Sequence, residues 1–156
     1  MNTYHRGRVI ELIKFLDFRY FSTLAFNRGV PVDDAWDDLR DFHARLDRMT
    51  LGPDWAKKDP HNQRLFSISF IENSETNLHF HMLWRSPQHE VKLTEAMPEF
   101  WEKRVPSGDV DTQPISYLGN LNKYVTKQLT PDSYILSSQF GSRPSLHRIG
   151  RPCNAG

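Results

Sequence analysis

Residues 77–85 read Asn-Leu-His-Phe-His-Met-Leu-Trp-Arg, and this stretch constrains the chain more than any other. Leu78, Phe80, Met82 and Trp84 alternate with Asn77, His79, His81, Leu83 and Arg85. A period of two belongs to a strand, here with one apolar face for a core and one face carrying two histidines. Residues i and i+2 of a strand point the same way, with Cα atoms roughly 6.5–7 Å apart. Two imidazoles so placed can converge on one metal ion, which histidine binds as the neutral ring that dominates near neutral pH.

The run before it, Leu65–Glu72, is rich in strand formers, and Asn73-Ser74-Glu75-Thr76 is a turn. Residues 65–85 therefore form a β-hairpin, which returns Glu72 toward the histidines. Two imidazoles and a carboxylate suit Mn²⁺ or Mg²⁺, with positions left open for phosphate oxygens. Alternation puts Glu72 on the face of Phe66, Ile68 and Phe70. Whether the histidines share that face depends on a register left open at this level. Glu75, in the turn, is the lesser candidate for the third ligand.

The remaining elements follow from periodicity and breakers. Val9–Leu16 reads as a short amphipathic helix, and Phe18–Phe26 as a first strand closed by Asn27-Arg28-Gly29. Pro31–Met49 is a helix with Asp33 and Asp34 at its positive end and Ala35, Leu39, Phe42 and Leu46 at helical spacing. Its aspartates, through Asp37, Asp38 and Asp41, read as a solvated face. Gly52–Gln63 is a loop bearing Lys57 and Lys58. Leu93–Arg104 is a helix with Thr94 as N-cap and Pro98 slightly inside. Val110–Thr112 reads as a short edge strand. Pro114 opens a helix running through Leu129, with Leu118, Leu121, Val125 and Leu129 as its stripe. Tyr134–Ser137 is a last strand, and Gln139–Gly156 a basic tail. His5, His61, His89 and His147 read as surface residues, and His43 as packing beside its helix's apolar stripe.

At 156 residues the whole of 1–156 reads as one domain. A net charge of +1 gives no bulk footprint for nucleic acid and leaves room only for a local basic groove. The one cysteine, Cys153, excludes a disulfide framework and a cysteine zinc site, and fits a reducing cytoplasm. No apolar run reaches the ~18 residues of a membrane span, and the first residues do not read as a signal peptide.

His-x-His is a weak signal alone. It has a companion in Tyr124-Val125-Thr126-Lys127, where i and i+3 on a helix place an ammonium beside a phenol. A phenol that ionises near 10 needs a cation or an activated phosphate to react at neutral pH.

In this order and spacing the motifs resemble those of the HUH endonucleases, specifically the single-tyrosine rolling-circle replication initiators of plasmids, phages and small circular DNA viruses. The apolar-threonine strand matches Phe21–Phe26, the His-hydrophobe-His motif matches His79, Phe80 and His81, and Tyr-x-x-Lys matches Tyr124 and Lys127. The resemblance spans roughly residues 17–130. It implies an α+β fold with a ferredoxin-like or RNA-recognition-like antiparallel sheet of about five strands and flanking helices. It implies a divalent metal on His79, His81 and Glu72, and Tyr124 as the nucleophile that nicks single-stranded DNA through a 5′-phosphotyrosine. Lys127 would orient Tyr124 or neutralise charge. The implied partner is single-stranded DNA at a replication origin, in a hairpin in some cases, with a host or fused helicase and a DNA polymerase, in the cytoplasm of a bacterial host.

Tyr117 stands two turns from Tyr124 and reads as packing. The competing reading is a non-catalytic single-strand-binding module with Phe80, Tyr20 and Phe66 as stacking aromatics. A related HUH transposase or relaxase would share the chemistry.

Overall fold

The computed structural model describes residues 3–72, 77–116, 129–130 and 132–140. Helix α1 (Thr3–Leu16) precedes strand β1 (Tyr20–Ala25), helix α2 (Val32–Leu51), strands β2 (Phe66–Glu72) and β3 (His79–Arg85), helix α3 (Glu90–Arg104), and strands β4 (Asp109–Pro114) and β5 (Tyr134–Leu136). The strands form one sheet in the order β4-β1-β3-β2-β5. Every neighbouring pair is antiparallel. The run β1-α2-β2-β3-α3-β4 with order 4-1-3-2 is compatible with a ferredoxin-like arrangement, extended by β5 at the β2 edge. The fold class is thus α+β, with a five-stranded antiparallel sheet and, among the described residues, three α-helices.

Each face of the sheet has its own core. Leu78, Phe80, Met82 and Trp84 of β3 are buried with Leu39, Phe42 and Leu46 of α2 and Leu93, Met97 and Trp101 of α3. In α2 the buried positions Ala35, Trp36, Leu39, Phe42, His43, Leu46 and Asp47 fall on one helical stripe. On the other face, Val9 and Ile13 of α1 cover Phe66, Ile68, Phe70 and Leu83. Arg85 donates to the Leu16 carbonyl at 2.6 Å, placing a cation at the negative end of α1. Asp17, in the left-handed region at φ 53°, then turns the chain into β1.

Two buried contacts set the sheet against its helices. Asp47 of α2 accepts from the Leu65 backbone N–H and from Arg64 Nε, both at 2.9 Å, which pins the start of β2. Trp101 Nε1 donates to the Ala25 carbonyl at 2.9 Å beside Gly108. A Cβ on Gly108 would meet that carbonyl oxygen and that indole nitrogen, each at 2.6 Å, so only glycine lets β4 approach here.

The structure moves several expected boundaries. Helix α1 begins at Thr3 rather than Val9. Helix α3 begins at Glu90, with His89 at its N-cap. The Thr94 hydroxyl donates to the Glu90 carbonyl within the helix, at 2.8 Å, and so does not cap it. Pro98 lies well inside α3. Burial of Leu93, Met97 and Trp101 on one stripe holds the helix through it. Pro114 is not a helix start: it ends β4 opposite Tyr20, an edge strand where a missing N–H is tolerated. Residues 117–128 of the expected helix lie outside the described residues, as do Tyr117, Glu75 and most of the 139–156 tail. Among the described residues, no helix is long and apolar enough to cross a membrane.

Candidate metal centre

The β2–β3 register settles where Glu72 points. Glu72 pairs with His79, and Phe70 with His81. Directly opposed residues of an antiparallel pair share a face, and His79 and His81 share one by alternation. All three side chains therefore stand on the α1 side of the sheet, at the end of the hairpin beyond Phe70.

Their donor atoms converge. His79 Nε2 and His81 Nε2 lie 3.2 Å apart. Glu72 Oε2 is 3.3 Å from His79 Nε2 and 2.5 Å from His81 Nε2. Neighbouring donors around a divalent ion held at about 2.1 Å are roughly 3 Å apart, which two of these distances match. The third is a closer contact, the hydrogen bond between the His81 ring nitrogen and the Glu72 carboxylate. The three side chains are 12–15% exposed, sheltered yet open to a ligand. Burial alone would raise the Glu72 pKa. The hydrogen bond from His81 and the charges of His81 and His79 together outweigh it and hold the carboxyl below its ordinary value. This group can hold a metal ion, and among the described residues it is the one cluster of histidine and carboxylate donors that converges in this way.

A surrounding layer orients the rings. His79 Nδ1 donates to the Asn77 carbonyl at 3.1 Å. His81 Nδ1 lies 3.5 Å from Thr23 Oγ1, on the residue directly opposite it in β1. The Phe21 ring lies nearly flat on the His81 ring, at 5.3 Å between centroids and 22° between planes. Neither Phe21 nor Thr23 carried an assigned role in the sequence. The only signal was their place in the Phe21–Phe26 strand, and nothing in one sequence says which strand lies beside the histidines.

The other sequence candidates divide clearly. Tyr124 and Lys127 lie outside the described residues. The α2 aspartates Asp33, Asp34, Asp37, Asp38 and Asp41 are half-buried rather than freely solvated, and ion pairs hold several of them: Asp41 binds Arg45 at 2.7 Å, and Asp38 binds Arg104 at 2.7 Å. His43 packs as expected, fully buried with Nε2 3.0 Å from Ser67 Oγ. His5 is half-buried rather than a surface residue, with Nε2 3.0 Å from the Tyr134 hydroxyl. Two of the three aromatics of the expected stacking platform are closed off. Phe80 and Phe66 are 0% and 1% exposed beneath the helices, so neither offers a face to a base. Tyr20 lies against Trp84, its ring stacked at 4.7 Å.

Comparison of the chain with family models, curated proteins and solved structures returned no match.

Proposed function

We propose that the chain is a metal-dependent enzyme that nicks and rejoins single-stranded DNA, an HUH endonuclease of the single-tyrosine, rolling-circle initiator type. The observation that carries this reading is the convergence of Glu72, His79 and His81 from adjacent strands of a 4-1-3-2 sheet. The motif order supplies the rest, with Tyr124 and Lys127 following the histidines.

Two neutral imidazoles and one carboxylate suit Mn²⁺ or Mg²⁺, and oxygen ligands of a phosphodiester complete such a shell. An ion on these donors would polarise a non-bridging phosphate oxygen as a Lewis acid. Glu72, His79 and His81 each keep 12–15% of their side-chain surface exposed, which supports access by a phosphate oxygen. The Tyr124 phenolate oxygen would attack the scissile phosphorus in line. A Tyr–O–P bond forms, the P–O3′ bond breaks, and the 3′ oxygen takes up a proton. The products are a 5′-phosphotyrosine and a free 3′-OH that can prime synthesis. Attack by a 3′-OH on the same phosphorus reverses the step and releases Tyr124. Lys127, one helical turn on by spacing, would offset charge near the phenolate or phosphate. The DNA would be an origin strand, with a helicase and polymerase of a bacterial cytoplasm acting on the product.

The test is adduct formation. Wild-type protein with Mn²⁺ and origin-derived single strands is expected to give a denaturant-resistant protein–DNA adduct, and Tyr124→Phe none. An adduct that persists in Tyr124→Phe sinks the nucleophile assignment. No adduct in wild type across candidate origins sinks the nicking reading.

A further inference from the structure

We infer that Thr23 is a positioning residue for His81, fixing which imidazole nitrogen faces Glu72 and His79. The inference rests on the metal-centre reading and names a residue of β1 that serves it.

An imidazole ligates through one nitrogen only when the proton sits on the other, so the group facing the far nitrogen selects the ligating one. For both histidines the converging nitrogen is Nε2. Each Nδ1 therefore needs an acceptor. For His79 that acceptor is the Asn77 carbonyl, a main-chain group supplied by its own strand. For His81 the group facing Nδ1 is the Thr23 hydroxyl, brought in by the β1–β3 pairing of Thr23 with His81, and it can accept from Nδ1–H when Nε2 is the ligating nitrogen. At 3.5 Å this contact is long for a hydrogen bond; a metal ion on Nε2 would make the Nδ1 proton more acidic and strengthen it. The Phe21 ring, two residues along on the same face of β1, lies against the imidazole and hinders its rotation. One strand thus supplies both a plate against the ring and an acceptor for its far nitrogen.

Valine keeps the branched shape and strand preference of threonine but removes the acceptor. Outer-layer substitutions of this kind cost about 10–100-fold in metal affinity. The probe is Co²⁺ alone, followed by its visible ligand-field absorption and by titration calorimetry on the whole chain. Thr23→Val is expected to weaken Co²⁺ binding about tenfold or more and to alter the band. Thr23→Ser, which restores a hydroxyl, is expected to stay within about threefold of wild type. Each variant's thermal midpoint is measured alongside. If Thr23→Val binds Co²⁺ with wild-type affinity and spectrum, or Thr23→Ser is impaired as much as Thr23→Val, the positioning role is overturned while the metal centre stands. If wild type itself binds no Co²⁺, or His81→Ala binds it equally well, the metal-centre reading fails instead.

Discussion

A lone histidine and a histidine pair sit on opposite faces of one sheet, and their difference separates structure from chemistry. On the α2 side, His43 is 1% exposed, packed edge-on to Phe140 and placed beside Ser67. Burial, helped by the charge of Arg64, pushes its pKa down to about 3, so it stays a neutral piece of the core. On the α1 side, His79 and His81 share a carboxylate and keep 12–15% of their surface in solvent. The imidazole is the same in both places. A sealed ring with a neutral partner can only pack. A sheltered ring with an anion and a second ring beside it can bind a cation.

The largest expected effect is acid destabilisation through His43. Its folded pKa lies below the ordinary value of 6.5, so its contribution is fully present above pH 6.5. Below that the unfolded chain takes a proton that the folded chain refuses, and stability falls by about 1.4 kcal/mol per pH unit toward pH 3. The full span is on the order of 4–5 kcal/mol. Asp47 has a pKa raised by burial against the pull of Leu65 and Arg64, and it acts in the opposite sense. The informative quantity is therefore the difference between wild type and His43→Leu in urea midpoints from pH 7 to pH 4. Parallel curves would mean that His43 is not held neutral.

Next comes a double dissociation between the two sites. His81→Ala should weaken Mn²⁺ binding by more than about 100-fold, since even groups behind a ligand matter 10–100-fold. It should move the urea midpoint less than His43→Ala does, since His81 keeps part of its surface in solvent. His43→Ala should lower stability by about 2–3 kcal/mol through a cavity and an unpaired Ser67 hydroxyl, with Mn²⁺ affinity unchanged. Calorimetry and denaturation on both variants decide this, and a large stability loss in His81→Ala would erase the contrast.

Smaller still is the effect of Glu72→Gln, which keeps the shape and one acceptor oxygen while removing the charge. Mn²⁺ affinity should fall about tenfold, because the remaining imidazoles still bind. Wild-type affinity in this variant would show that the carboxylate merely accepts a hydrogen bond from His81.

Much of the fold was legible because periodicity reports directly on burial. The α2 stripe, the hairpin and the apolar side of Leu78–Trp84 all came from spacing alone, and each is buried as spacing requires. The errors fall where local chemistry and context compete. Thr94 has the chemistry of a cap, yet helix α3 starts one turn earlier and its hydroxyl bonds within the helix. Pro114 suits a first helical turn, yet an edge strand accepts it equally well. Phe80 and Phe66 looked available for stacking because aromatic composition says nothing of which face a helix covers.

By itself, the sequence determined that His79 and His81 share one face of a strand, because a period of two leaves no other choice. It also placed Glu72 on a neighbouring strand and within reach. Tertiary structure alone decided that Glu72 stands opposite His79 and that Thr23 stands opposite His81. A shift of one residue in either pairing would have turned those side chains to the other face. Such a register comes from the packing of whole strands against α1, α2 and α3, and no local pattern encodes it.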